Sequence, residues 1–267
     1  MPLTVLDTPP IIMNRRQLVK GLASGCVVAI AGCVQNPMLG REQLILVSDG
    51  QLAQLSASAW TQVKEKEKIS RDPRVNSRVR TVGSSIVRAA GLGNQPWEYA
   101  VFDSEQANAF VMPGGKVGVY TGILQRMEND DQLATVLGHE VGHVTARHSA
   151  ERYSQQLAAG VGMTAAAVAL EAGDVKGGRE IAAVLGAGLT FGVLLPYSRR
   201  HELEADRIGV NYMAKAGYDP RQSLRFWQNM MAQRKTPNPP EFMSTHPSDQ
   251  TRIAAIANQL RTMGYQV

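Results

Sequence analysis

The chain has 267 residues, of which 44% are hydrophobic and 19% charged, and it carries a formal net charge of +5. This length and composition are typical of one substantial globular unit and exclude a disordered protein. Arginines between positions 71 and 88 contribute to the basic balance, but no nucleic-acid motif accompanies them, so we expect a solvated helix face and no nucleic-acid partner.

Both cysteines, Cys26 and Cys33, lie close to the N-terminus. The rest of the chain has no thiol, which excludes a disulfide framework, a thiolate nucleophile and a cysteine-ligated zinc there. A metal bound by this part of the chain therefore needs nitrogen and oxygen ligands.

Residues 1–33 are predicted to be an export signal ending in a lipid attachment site. A basic stretch begins at Met13, a candidate for the true start, and the apolar run that follows is too short to span a bilayer. The residues Ile30-Ala31-Gly32-Cys33 resemble a bacterial lipobox, which implies cleavage before Cys33 and its acylation. The pair Arg15-Arg16 leaves both Sec and twin-arginine export open, and a buried N-terminal helix is the alternative to an export signal.

After the signal, residues 34–45 are predicted to be a tether because they contain Pro37 and Gly40, and residues 46–267 to be the functional domain. The residue after Cys33 is Val34, not the aspartate associated with inner-membrane retention. The sequence therefore favours the periplasmic side of the outer membrane.

The periodicity of the domain predicts a mainly α fold with a small β-sheet or hairpin, in the α+β class. The predicted helices cover residues 48–70, 73–90, 129–156, 200–215, 221–234 and 248–263, and the predicted strands 97–103, 107–112 and 116–120. Pro113-Gly114-Gly115 is predicted to be the turn between the last two strands. The Ala- and Gly-rich segment 157–195 favours packed helices, with a flap that touches lipid as the alternative.

The 129–156 helix carries the sequence His139-Glu140-Val-Gly-His143. Residues four apart lie on one face of an α-helix, so His139 and His143 can each offer a ring nitrogen to one ion. Glu140 lies one step round the helix, where it can reach a water on that ion. This is the arrangement that metal-assisted peptide hydrolysis requires.

A third ligand is expected from the helix that begins near residue 200. Glu202 and Asp206 share one face of it, so Glu202 can ligate the ion while Asp206 accepts the free ring N–H of a ligating histidine. Glu204 points about 160° away from Glu202 and is the weaker candidate. An exposed acidic face is the alternative for this pair.

These motifs resemble the gluzincin peptidase family of the CAAX prenyl proteases and HtpX, particularly its soluble, exported bacterial members of the LoiP and BepA type. The likeness rests on G-H-E-V-G-H-V-T-A-R-H at 138–148, S-R-R-H-E-L-E-A-D-R-I-G at 198–209, the motif that begins at Asn108, and S-T-H-P-S at 244–248. The resemblance implies a zincin-like domain with one zinc on His139, His143 and Glu202. It also implies that Glu140 is the catalytic base and that Asp206 supports a ligand.

The resemblance further implies that His246 is a fourth, displaceable zinc ligand. Arg252 and Asn108 are candidates for contact with an oxyanion or a substrate carbonyl, with a surface role as the alternative for Arg252. The strand 109–112 or its partner offers an edge for an extended substrate, or only packs as a hairpin. His148 and His201 are expected to be structural.

The predicted function is that of a zinc endopeptidase that acts on unfolded or misassembled envelope proteins. We expect a lipid to attach the enzyme to the membrane, and envelope assembly factors or other proteases are its candidate partners. One alternative is a chaperone-like client binder in which His246 latches the zinc. The other is a structural lipoprotein with a vestigial metal motif.

Overall fold

The computed structural model describes residues 33–159, 197–233, 240–247 and 249–267. The predicted export signal up to residue 32, most of the Ala- and Gly-rich segment and most of the Pro-rich loop before Pro240 lie outside these residues. Within the described part of the chain, none of the helices is long and apolar enough to cross a membrane.

The N-terminal hairpin is the antiparallel pair of strands β1 (Cys33–Asn36) and β2 (Arg41–Leu44). It occupies most of the segment predicted to be a tether, and it packs on the body of the protein. Asn36 and Gln43 are buried, and their side-chain amides donate to the carbonyl of Ala146 at 3.2 Å and 2.8 Å. The packed unit therefore includes the hairpin, which the predicted domain start at residue 46 had left out. Pro37 and Gly40 suggested a tether, but they lie in the turn between two strands that pair with each other.

A three-stranded sheet, with strand order β3-β5-β4, lies on one side of the core. It consists of β3 (Glu98–Phe102), β4 (Ala109–Met112) and β5 (Lys116–Tyr120). The predicted turn joins β4 and β5 as an antiparallel pair, in which Gly114 and Gly115 have positive φ angles of 81° and 73°. The pairing of β3 with β5 is parallel, and β4 is left at the edge.

The helices before the metal motif are α1 (Asp49–Lys66), α2 (Pro73–Ala89) and the short α3 (Thr121–Leu124). A Ser48 capping box starts α1, and Asp72 with Pro73 starts α2. Val79, Val82 and Ile86, which lie at three- and four-residue spacing in α2, are buried in the hydrophobic core as their periodicity predicts, and Val75 is partly buried against it.

The central helix α4 (Asp130–Thr145) begins at the Asn129 cap and is buried from Gln132 to His143. It ends sooner than the predicted residue 156, because Arg147 adopts a left-handed conformation with φ 56°. Residues 148–159 are helical again, in a new direction.

The described helices that follow are α5 (Arg199–Lys215), α6 (Arg221–Gln233), α7 (Phe242–Thr245) and α8 (Gln250–Thr262), of which α5 and α6 pack directly on α4. The most intimate contact joins α4 to α5, where Gly138 faces Gly209 and Gly142 faces Ala205. A Cβ atom built on Gly209 would lie 2.8 Å from the backbone nitrogen of His139. Because glycine has no side chain, the two helices that carry the motifs touch backbone to backbone. The predicted α+β class, with H-E-x-x-H on a central helix, is confirmed.

Candidate metal centre

The two histidines of α4 converge at the centre of the protein. Their Nε2 atoms lie 3.1 Å apart, and both side chains are almost completely buried. The i, i+4 spacing that predicted a shared helix face therefore brings the Nε2 atoms of His139 and His143 together.

Glu202 of α5 closes the site from the opposite helix. Its Oε2 lies 3.3 Å from His139 Nε2, and its Oε1 lies 3.3 Å from His143 Nε2. Burial alone would raise the pKa of Glu202, but His246, Arg252 and His139 lower it well below its usual value. The side chain is consequently an ionised carboxylate placed between two imidazoles.

His246 follows α7 and enters the same cluster. Its Nδ1 lies 3.1 Å from both His139 Nε2 and Glu202 Oε1, and its Nε2 lies 3.2 Å from Glu140 Oε1. The ring therefore stands between the side chains of the ligand set and the carboxylate of Glu140.

The donor set fits a divalent metal ion. His139, His143, Glu202 and His246 each offer one ligand atom, and these four atoms lie within 4.8 Å of one another. Glu140 Oε1 is buried without a hydrogen bond from the described residues. With neutral imidazoles, the buried carboxylates of Glu140, Glu202 and Asp206 and the guanidinium of Arg252 leave two negative charges, which a divalent cation would neutralise. Imidazole and carboxylate are also the groups with which zinc is bound when thiolates are lacking.

Asp206 determines the tautomer of His139. Its Oδ1 lies 2.8 Å from His139 Nδ1, and since an ionised carboxylate only accepts, the ring must donate from Nδ1. Burial lowers the pKa of His139, but Glu202 and Asp206 outweigh it and raise that pKa to about 9. Because Nδ1 carries the proton, a neutral His139 directs its Nε2 lone pair at the cluster. The carboxylates that raise the pKa also favour a positive charge, such as a metal ion, beside this ring.

Arg252 of α8 contacts the two carboxylates that α5 contributes to the site. It donates to both oxygens of Asp206 at 2.7 Å, and its Nη1 lies 2.6 Å from Glu202 Oε2. The guanidinium also stacks 3.8 Å above the ring of Trp227, and the residue is 0% exposed. The donors of Arg252 are thus directed at two buried carboxylates, and its candidate role in substrate contact stays a prediction.

Glu140 lies beside the ligands and touches the sheet. The backbone N–H of Val111 in β4 donates to Glu140 Oε2 at 3.3 Å. Burial raises the pKa of Glu140, although His246 and His139 oppose that shift. A carboxylate with a raised pKa, one oxygen of which faces the ligand cluster, is suited to accept a proton.

The edge strand β4 runs past this carboxylate, and among the described strands it pairs with β5 alone. At the start of the strand the Ala109 N–H donates to the Asn108 side-chain oxygen at 2.9 Å, and just before the strand the Ala107 carbonyl accepts from Phe242 N at 2.9 Å. The predicted edge is present beside the site. The side-chain oxygen of Asn108 accepts from the first residue of this strand, and its candidate role in substrate contact stays a prediction.

Sequence reasoning missed the partners of His143. His148, predicted to be structural, lies with its Nδ1 2.9 Å from His143 Nδ1, and Glu204 lies 3.0 Å from the other nitrogen of His148. Tyr197 stacks on His143 with ring centroids 3.9 Å apart, and no sequence signal indicated this contact. His201, also predicted to be structural, bonds Glu151 at 3.2 Å, outside the ligand cluster.

Comparisons with known proteins agree with this arrangement. The model of the family described as Peptidase family M48 matches residues 73–260. Over 183 residues, 68% of this chain and 52% of the relative, the chain is 39% identical to the mitochondrial metalloendopeptidase OMA1 of Schizosaccharomyces pombe. Over 238 residues, 86% of this chain and 48% of the relative, it is 29% identical to the beta-barrel assembly-enhancing protease of Escherichia coli K12. The chain spans about half the length of these curated relatives.

Proposed function

This chain belongs to peptidase family M48, and on that premise we propose that it is a zinc-dependent endopeptidase of the bacterial cell envelope that degrades unfolded or misassembled proteins. The family membership establishes the enzyme class, a metallopeptidase. The proposal adds zinc as the metal, peptide bonds of damaged envelope proteins as the substrate, and attachment to the membrane.

One observation carries the proposal. His139, His143 and Glu202 converge within 3.3 Å of one another while the buried carboxylate of Glu140 stands at the edge of the cluster. Three ligands would leave a position for a reactant, as catalytic zinc sites do. Bound zinc would supply Lewis acidity toward a peptide carbonyl and toward water.

The residues of the chain would perform the proton transfers and the positioning. Glu140 would take a proton from the attacking water at Oε1 and deliver it to the leaving amine nitrogen, while Val111 N–H holds Oε2 in place. Asp206 would keep His139 in the tautomer whose Nε2 is free to ligate. An extended substrate would lie along β4, where main-chain pairing requires no particular side chains.

His246 would act as a fourth, displaceable ligand. Its ring touches His139, Glu202 and Glu140 at once, so it occupies the space that a substrate carbonyl and water would need. Proteolysis would therefore require the His246 side chain to leave. This contact also favours the second candidate function, a latched client binder with little turnover.

The proposed location rests on the N-terminal sequence. Export would be followed by cleavage before Cys33, and acylation of that cysteine would attach the protein to the outer membrane. Cys33 is exposed at the start of β1, which suits a modified residue. Envelope assembly factors or other proteases are possible partners in this setting.

A proteolysis assay on an unfolded casein-like substrate tests the proposal, with the wild type, Glu140→Gln and His246→Ala each loaded with zinc. We expect Glu140→Gln to bind zinc with wild-type stoichiometry and to lose cleavage, and His246→Ala to cleave faster than the wild type. Glu65→Gln, the same change at an exposed position of α1, is the matched control and should cleave normally.

Three outcomes would contradict parts of the proposal. Retained cleavage by Glu140→Gln would exclude Glu140 as the base. Client binding without cleavage in both the wild type and His246→Ala would favour the latched binder. Less than about one zinc per chain in a carefully prepared wild type would favour a vestigial site.

A further inference from the structure

A chain of polar contacts leads from the metal cluster to the N-terminal hairpin. His143 Nδ1 lies 2.9 Å from His148 Nδ1, and His148 Nε2 lies 3.0 Å from Glu204 Oε2. Arg41 of β2 then binds Glu204 through two hydrogen bonds, from Nε at 2.7 Å and from Nη2 at 2.8 Å. Four residues from four separate stretches of the chain thus form one continuous path.

The direction of each hydrogen bond follows from the chemistry at the Arg41 end. A carboxylate held by a guanidinium is an acceptor, so His148 must donate to Glu204 from Nε2. A neutral imidazole has one N–H, and His148 Nδ1 is then an acceptor. His143 must therefore donate from its own Nδ1, which leaves the His143 Nε2 lone pair directed at the cluster.

Arg41 is held firmly enough to act as the end of this path. It makes a second two-bond contact with Glu151, at 2.7 Å and 2.8 Å, and its side chain is only 9% exposed. His201 stacks on His148 with ring centroids 4.4 Å apart and bonds Glu151. The guanidinium lies between the carboxylates of Glu151 and Glu204 and offsets one of their two negative charges.

We propose that His148 and Glu204 are positioning residues that fix the orientation and tautomer of His143, and that Arg41 of the N-terminal hairpin holds this pair in place. The inference rests on the proposed zinc site and deepens it. His139 is oriented by Asp206 and Arg252, and His143 is oriented by His148, Glu204 and Arg41. His139 and His143 thus each donate from Nδ1 to an acceptor that an arginine holds, directly through Asp206 for His139 and by way of Glu204 for His143.

The test measures zinc affinity without reference to proteolysis. Zinc dissociation constants would be determined by competition with a chromophoric chelator for the wild type, His148→Ala and His148→Asn. Removal of a residue that supports a metal ligand weakens binding by about 10–100-fold, and we expect that loss in His148→Ala. His148→Asn should recover most of it, because an amide oxygen can accept in place of the lost Nδ1.

Arg41→Ala and Arg200→Ala form a matched pair, since both arginines bond the same oxygen of Glu204. Arg200 does so from an exposed position, with 63% of its side chain accessible. We expect Arg41→Ala to weaken zinc binding by about tenfold and Arg200→Ala to change it by less than about twofold. The d–d absorption bands of the cobalt-substituted protein should shift in Arg41→Ala and stay unchanged in Arg200→Ala.

The outcomes separate this inference from the proposed function. Wild-type protein that binds no zinc would overturn both. Tight zinc binding by the wild type together with equally tight binding by His148→Ala or Arg41→Ala would overturn the inference alone. Equal losses in His148→Ala and His148→Asn would also overturn it, because the bulk of the ring would then matter instead of the acceptor.

Discussion

The contact between α4 and α5 predicts that Gly209→Ala will separate the metal ligands. The new Cβ would lie 2.8 Å from the backbone of Gly138 and His139, and it would have to retreat by about 0.6 Å to reach ordinary contact at 3.4 Å. Ligand distances in metal sites tolerate about ±0.2 Å. Because His139 lies on one helix and Glu202 on the other, a shift of this size would spoil the ligand geometry.

The energetic balance can be worked from the same contact. Overpacking costs about 1–3 kcal/mol, and the better helix propensity of alanine offsets about 1 kcal/mol of that cost. We therefore expect the zinc-free variant to lose up to about 2 kcal/mol in its free energy of unfolding, measured by urea titration. We also expect a zinc affinity at least about tenfold weaker, which corresponds to about 1.4 kcal/mol.

Gly50→Ala provides the matched control. Gly50 is exposed in α1, and the nearest heavy atom to its added Cβ would be 4.0 Å away. This variant should be as stable as the wild type or more stable, with unchanged zinc affinity. If Gly209→Ala bound zinc as tightly as Gly50→Ala, the close approach of the helices would not determine the ligand geometry.

Three further predictions concern charge and metal. Arg252→Met should lower the free energy of unfolding of the zinc-free protein by about 3–5 kcal/mol, because Asp206 and Glu202 lose their buried partner, and zinc should restore part of that loss in a thermal melt. Burial raises the pKa of Glu204, but Arg41 and His148 lower it to about 2 from 4.5. The stability advantage of the zinc-free wild type over Glu204→Gln should therefore be complete above pH 4.5 and vanish as the pH falls toward 2, as followed by circular dichroism. Chelation of zinc from wild-type protein should lower its melting temperature, since ligand at a thousand times its dissociation constant stabilises by about 4 kcal/mol.

The sequence predicted the metal cluster well because helical spacing is local information. The helical repeat alone places His139 and His143 on one face of their helix. It does the same for Glu202 and Asp206 on the other helix. The predicted family and enzyme class are confirmed by the family match. The roles of the individual site residues remain predictions until the variants are measured.

The sequence could not predict the partners of His143, because a break in the helix determines them. On an unbroken helix, His148 would point away from the side of His143 that faces the metal. The left-handed Arg147 interrupts the helix and turns the ring of His148 back onto His143 Nδ1. Glu204 does point away from Glu202, but its partner on that side belongs to the N-terminal hairpin, a contact that helical spacing does not predict.

If Cys33 carries the proposed lipid, the hairpin would also limit how far the enzyme can move from the membrane. A flexible tether over residues 34–45 would let the catalytic body move up to about 40 Å from its attachment point. Cys33, however, is itself the first paired residue of β1, opposite Leu44. A lipid on Cys33 would thus hold the body at the bilayer surface in one orientation, and only polypeptides at that height above the membrane would meet the metal centre.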